Sequence, residues 1–336
     1  MTIKLISAFV LAFLFATAFG KFYIPWLRKQ KAGQQIKEIG PKWHMTKSGT
    51  PTMGGVMFIL AVAFVCLTLG FEGMLHGDFT HIFVLLFALV FGAIGFLDDW
   101  EKIKKKQNLG LSARMKFLLQ LAAALVFVLL MRNMGYLNTH LYIPFWQTTV
   151  QVPDWLYFIF AAFVIVGTVN AVNLTDGLDG LASGTSLPVC LFFVAVTFAW
   201  GEKFLQLGLF ASALAGGLVG FLVYNFHPAK VFMGDTGSLF LGGAIAALAF
   251  AYDMPLILIT LGIVYIIETL SDIIQVGYFK LSHGKRVFRM APFHHHLEMG
   301  GWTGKKWKEV EIFCLFSGIS LLFAIISFIG VFHRAL

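Results

Sequence analysis

Long apolar runs separated by short polar segments dominate the chain. They fall at roughly 6–26, 54–71, 82–97, 116–131, 155–172, 183–200, 205–224, 237–252, 256–275 and 311–332. About 20 helical residues, each rising 1.5 Å, cross a hydrocarbon layer of about 30 Å. Each run is therefore a candidate membrane span, and the shorter ones require their helices to continue into the adjoining loops. The pattern predicts an all-α polytopic integral membrane protein of about ten transmembrane helices, forming a single domain over residues 1–336. Lys4, an apolar stretch and Ala16-Thr17-Ala18 imitate a secretory signal at the N-terminus. Apolar character continues through Phe22 to Trp26 and a basic segment follows, so a retained first helix is expected.

Composition supports the bilayer as solvent. The chain is 58% hydrophobic and 12% charged, with a mean hydropathy of +0.81, whereas soluble domains carry about 25% charged residues. Cys66, Cys190 and Cys314 all lie inside apolar runs without metal-ligand spacing, and read as small core hydrophobes. The net charge of +8 would suit nucleic acid, but its placement argues for topology. Loops after odd-numbered spans hold 21 of the 25 basic residues: seven from Lys21 to Lys47, six from Lys102 to Lys116, Lys230, and seven from Lys280 to Lys308. Lys4, Arg132, Lys203 and Arg334 fall on the other side. The positive-inside rule then makes the odd loops cytoplasmic and both termini extracytoplasmic. No nucleic-acid partner is expected.

Five of the 17 acidic residues stand at ends of apolar runs, where ionised groups are expensive and mark function. All five would lie at the cytoplasmic face. Asp98 and Asp99 close one run. Helical neighbours point about 100° apart, so the two carboxylates have different tasks: one faces a site, the other caps or pairs with Lys102. The plainer reading is an ion-paired helix end. Asn173 to Gly184 (NLTDGLDGLASG) alternates glycines with short polar residues and opens a helix, whose N-terminus attracts anions. Asp176 and Asp179 there would hold a metal or accept from a base or sugar, against a simple capped turn. In Tyr224 to Ser238, Gly234 permits close backbone approach, Asp235 suits a hard cation such as Mg2+, and Phe232 offers a stacking face or merely packs. Lys47 to Gly55 (KSGTPTMGG) has the residues of a phosphate loop without its spacing or a preceding strand. Arg289 to Glu298 contains His294, His295 and His296, which backbone geometry fans apart. Donation to phosphate oxygens suits them better than shared metal ligation. Glu268, Asp272 and Gln275 fall near one face of the ninth span.

Together these motifs resemble the polyprenyl-phosphate N-acetylhexosamine-1-phosphate transferase superfamily over the whole chain. Within it, Ala291 to Glu298 (APFHHHLE) is similar to the phospho-N-acetylmuramoyl-pentapeptide transferases. The resemblance implies a Mg2+-dependent reaction of UDP-N-acetylmuramoyl-pentapeptide with undecaprenyl phosphate, giving lipid I and UMP in the first membrane step of peptidoglycan synthesis. It also implies a homodimer in the bacterial inner membrane, a cytoplasmic-facing site, and sensitivity to nucleoside antibiotics. By position, Asp235 is the expected metal ligand, Asp98 and Asp99 lie beside the reacting phosphates, and Lys116 is near the lipid phosphate. Gly177, Leu178, Asp179 and Phe232 would form the uracil pocket. Lys47, Thr52, Asn173, Asp176, Asn225, Gly234 and Gln275 would line the nucleotide and sugar region. His294 and His295 would face the diphosphate, with His296 among the substrate-binding residues.

A phosphate monoester has its second pKa near ~6 and needs little help from a base at neutral pH. Neutralising two anions is the larger task, which favours direct attack of the lipid phosphate on the β-phosphorus. Asp98 would then orient the nucleophile or take a residual proton. A two-step route through an aspartyl-phosphate on Asp98 or Asp235 stays open. One rival is a related transferase using UDP-N-acetylglucosamine, which the histidine loop argues against. The other is a secondary transporter, whose charged groups would sit at the bilayer midplane on broken, repeated helices.

Overall fold

The computed structural model describes residues 1–30, 47, 49–105, 107, 109–135, 139–332 and 334. Lys31, Lys37, Lys42 and Lys106 of the basic-residue count lie outside them. All ten apolar runs are helical. They form α1 (Thr2–Lys29), α2 (Val56–Thr68), α4 (Thr80–Lys105), α5 (Ala113–Asn133), α6 (Asp154–Thr175), α7 (Leu181–Trp200), α8 (Leu205–Asn225), α9 (Gly234–Ala251), the pair α10 (Leu258–Leu261) and α11 (Ile263–Leu281), and α13 (Glu309–Val331). Short helices α3 (Phe71–Leu75) and α12 (Phe293–Glu298) lie in loops. Among the described residues, eight helices are long and apolar enough to cross a membrane. The ninth run is broken, with Pro255–Leu261 bent by 79° from α11 at Gly262. The second run yields the 13-residue α2, too short to cross alone.

Burial separates core from periphery. On α9 every residue from Thr236 to Phe250 is buried, because α4 and α6 pack on it and α2, α7 and α8 border it. By contrast α1 buries one stripe, Leu5, Ala8, Ala12, Ala16, Gly20, Ile24 and Leu27, against α8 and α2. Its other face exposes Ile3, Ile6, Leu14 and Phe22. A soluble protein would not present such a face, and a lipid-facing helix does. The small residues on the buried stripe let two backbones approach where lipid supplies no hydrophobic drive. On α13 the same logic leaves Cys314 exposed, so it is not the core residue expected from its apolar neighbours; Cys66 and Cys190 are.

Strand β1 (His140–Ile143) pairs antiparallel with β2 (Thr148–Gln151), a departure from purely helical structure that lies in a loop. The Phe145 N–H donates to Gly330 O at 2.9 Å and docks the hairpin beside the end of α13. At the opposite end of the bundle, the C-termini of α4, α6, α8 and α11 meet the N-termini of α2, α5, α7, α9 and α13. Every acidic motif of the sequence lies there.

Candidate active site

The centre of that end is a knot of charge. Asp98 and Asp99 occupy the last turns of α4 and are almost fully buried. Asp235 stands in the first turn of α9. Lys102, one turn beyond Asp98, places Nζ 2.6 Å from Asp98 Oδ2, 3.7 Å from Asp99 Oδ1 and 2.8 Å from Asp235 Oδ2. Lys116, from the start of α5, adds 2.7 Å to Asp235 Oδ2. Asn173 Nδ2 donates to Asp235 Oδ1 at 2.7 Å and to Ser238 Oγ at 2.8 Å.

The two neighbouring aspartates do take different tasks. Asp99 caps α9: it accepts from the Asp235 and Thr236 N–H groups at 3.2 and 2.9 Å and from Thr236 Oγ1 at 2.7 Å. Asp98 pairs with Lys102 and accepts from the Leu111 N–H at 2.9 Å, tying down the loop into α5. Oxygens of Asp98, Asp99 and Asp235 lie within 4.8 Å of one another. Three hard carboxylate donors at that spacing fit Mg2+.

Gly234 makes the knot possible. It has φ +72°, and a Cβ there would lie 2.6 Å from Asp99 Oδ2 and 2.7 Å from Thr52 Oγ1. Thr52 is buried beneath this turn. The backbone of Phe232 joins the two loops: its N–H donates to Pro51 O and its carbonyl accepts from Gly54 N–H, both at 2.8 Å. The Lys47–Gly55 segment is thus part of the wall. The Phe232 ring stays partly exposed.

A second cluster forms on the α6–α7 turn. Lys47 Nζ is 2.7 Å from Asp179 Oδ1 and 2.6 Å from Glu309 Oε2. Asp179 Oδ2 lies 2.9 Å from His227 Nδ1 and accepts from the Ala229 N–H at 3.0 Å. Asn225 Oδ1 accepts from Gly180 N–H at 3.1 Å while its Nδ2 donates to Val231 O at 2.9 Å, so it braces the turn from α8. Leu178 is buried and Gly177 exposed. Asp176 bridges the two clusters electrostatically. Burial of its carboxyl, then the charges of Asp235, Asp99 and Asp179, hold it well above the usual carboxylate range.

The histidine loop closes the third side. Gln275 Oε1 accepts from the Val287 and Phe288 N–H groups at 3.2 and 2.9 Å, so it anchors the loop to α11. His294 is fully buried; its Nδ1 is 2.8 Å from Glu268 Oε2, and its backbone N–H donates to Glu268 Oε1 at 3.2 Å. His295 Nδ1 lies 2.7 Å from Glu298 Oε2. His296 Nδ1 accepts from the Arg289 N–H at 3.1 Å, and burial followed by the Arg289 charge pushes its pKa down. The three imidazoles have three separate partners, as their fanned spacing required.

Sequence reasoning passed over Glu309, His227, Thr236 and Ser238 as site members, and gave Lys102 only a pairing role with one aspartate. The available signal for Glu309 was an acidic residue opening an apolar run directly after the histidine loop. His227 lay inside a motif already singled out. Which loops meet was not readable from spacing.

Residues 81–253 match the profile of glycosyl transferase family 4. Residues 47–59 match signature 1 of the phospho-N-acetylmuramoyl-pentapeptide-transferases. The phospho-N-acetylmuramoyl-pentapeptide-transferase of Caldanaerobacter subterraneus is 45% identical over 327 residues, covering 97% of this chain and 98% of that protein. Those of Listeria monocytogenes and Geobacillus kaustophilus are each 46% identical over 325 and 324 residues, covering 96% of this chain and 97% and 96% of theirs.

Proposed function

The chain belongs to the phospho-N-acetylmuramoyl-pentapeptide-transferase family, and we infer that it transfers phospho-N-acetylmuramoyl-pentapeptide from its UDP-linked precursor to undecaprenyl phosphate. The products are lipid I and UMP. The observation that carries this reading is the meeting of three carboxylates, Lys102 and Lys116 beside a glycine-bearing turn and an aromatic ring. Such a site brings two anionic phosphates together and grips a nucleotide.

We assign Mg2+ to Asp235 with Asp98 and Asp99, where it would neutralise phosphate charge and polarise the reacting phosphoryl group. Lys116 faces the lipid phosphate. Asn173 and Asp176 line the sugar side, with Thr52, Gly234 and Gln275 shaping the wall. Gly177, Leu178, Asp179 and Phe232 receive uracil, with Lys47 and Asn225 holding the Asp179 turn. His294, His295 and His296 serve the diphosphate side. An oxygen of the dianionic lipid phosphate attacks the β-phosphorus, and the bond to the bridging oxygen breaks with its electron pair leaving on UMP. No proton has to move. The ion pairs favour this direct route over an aspartyl-phosphate: Asp98 Oδ2 is bound by Lys102, and Asp235 Oδ2 by Lys102 and Lys116. A carboxylate so neutralised is a weak nucleophile.

The chain acts as one domain in the bacterial inner membrane, as a homodimer, with the site toward the cytoplasm and both termini outside. Loop charge supports that orientation. Incubating purified protein with Mg2+, polyprenyl phosphate and either UDP-N-acetylmuramoyl-pentapeptide or UDP-N-acetylglucosamine tests the reading. UMP release with the first sugar alone is expected. Release with the second alone, or with neither, overturns it. UMP released or exchanged without lipid acceptor would instead contradict direct attack.

A further inference from the structure

Glu268 lies in the middle of α11, fully buried in an apolar run, and the phosphoryl transfer gives it no task. Such a carboxylate requires compensation. Its two oxygens divide between two groups of one residue: Oε1 accepts from the His294 peptide N–H at 3.2 Å, and Oε2 meets His294 Nδ1 at 2.8 Å. A carboxylate only accepts, so the His294 ring must carry a proton on Nδ1. The other ring nitrogen, Nε2, is buried and has no hydrogen-bond partner among the described residues. It points at Gly177, where a Cβ would overlap it. Gly177 itself is exposed, so only this one residue's backbone is shown between Nε2 and the protein surface. An unpartnered buried nitrogen costs about 1–3 kcal/mol and marks a place for a missing partner.

We propose that Glu268 is a positioning residue that fixes the His294 proton on Nδ1, reserves Nε2 for the substrate, and serves as buried counter-charge when that ring engages an anionic substrate oxygen. This rests, for its last clause, on the reading of the site as one for a nucleotide-linked sugar. A phosphate oxygen offers no hydrogen, so a bare Nε2 would only repel it. Contact requires a second proton and gives the imidazolium, whose charge Glu268 balances across 2.8 Å. The titratable groups in contact with the ring are Glu268 from α11 and His295 on its own helix, with ring centroids 4.2 Å apart, and Asp176 is the chain neighbour of Gly177. The amide introduced by Glu268→Gln cannot copy this. Its carbonyl must take the peptide N–H, which leaves its NH2 opposite Nδ1 and forces the proton onto Nε2.

Nitrogen NMR of the full chain labelled with 15N-histidine, at pH about 8, reads this directly. His294→Gln identifies the signals. In the free protein Nδ1 is expected to bear the proton and Nε2 to be bare; a proton on Nε2 alone overturns the proposal. Glu268→Gln should move the proton to Nε2, and an unchanged ring removes Glu268 from the role. The wild-type measurement decides the matter even where that variant does not fold. Uridine diphosphate with Mg2+ should bring a proton onto Nε2 while Nδ1 keeps its own. Shifts elsewhere with Nε2 still bare defeat the counter-charge clause. No shift at any histidine defeats the nucleotide reading instead, and leaves the Nδ1 result standing.

Discussion

Lys102 Nζ donates to Asp235 Oδ2 at 2.8 Å, although the two residues are 133 positions apart in sequence and lie on different helices. The same ammonium also touches Asp98 and approaches Asp99. Three carboxylates are thereby balanced by two lysines. Among the described residues, replacing Lys102 with Met leaves Lys116 as the lysine against them, and a carboxylate deprived of a buried partner is destabilising. Lys102→Met should lower the stability of chelator-treated protein by about 1–3 kcal/mol. A divalent cation restores the missing charge, so Mg2+ should raise the variant's melting temperature more than the wild type's. Melting curves in chelator and in Mg2+ check this; equal Mg2+ shifts would remove Lys102 from the charge balance.

Asp235→Asn keeps shape and loses charge. Its amide cannot receive two ammonium groups as the carboxylate does, and it is a poorer donor for the metal assigned there. Mg2+-dependent UMP release should fall by more than about a hundredfold. Full activity would sink the metal assignment.

The helical pattern and the five aspartates were legible because each follows from local physics: apolar length against bilayer thickness, and the expense of charge at a membrane segment. What was not legible came from tertiary contact. Glu309 meets Lys47 across 262 residues, and no spacing rule joins the first loop to the start of the last helix. Gln275 and Glu268 stood out as polar residues on one face of α11, yet their partners, the Phe288 N–H and His294, lie in a loop whose course the sequence leaves open. The 79° break at Gly262 was likewise hidden, because hydropathy records apolar length and is blind to direction.

Gly234→Ala tests close approach. The residue has φ +72°, and Ala pays roughly 1–2 kcal/mol in that region before any contact is counted. Its methyl would also press on Asp99 and Thr52. A lowered melting temperature together with loss of turnover is expected. Wild-type stability in this variant would show that the turn relaxes freely.

Phe232→Ala separates ring from backbone. The bonds to Pro51 and Gly54 use only main-chain atoms and survive the substitution. Stacking of a base on an aromatic ring is worth about 1–3 kcal/mol, so the KM for the UDP-sugar should rise roughly 5- to 150-fold. The kcat should change little. A fall in kcat at constant KM would move the ring from uracil binding to the reaction itself.

Asp176 gives a pH dependence whose sign can be worked out. Burial, then Asp235, Asp99 and Asp179, raise its carboxyl in the folded protein, while in the unfolded chain it titrates near ~3.9. Between those values the folded state holds a proton that the unfolded state has released. Stability therefore falls as pH rises through that window, and the full penalty persists above it. Asn carries no charge to desolvate. Asp176→Asn should accordingly melt higher than wild type near neutral pH, and the advantage should shrink as pH falls toward about 4. Turnover in the same variant should drop, since the carboxylate that strains the fold is the one assigned to the sugar side. A melting-temperature difference that stays flat with pH would mean that Asp176 is not held above its ordinary range. A stabilised variant with full activity would mean that the strain serves no substrate.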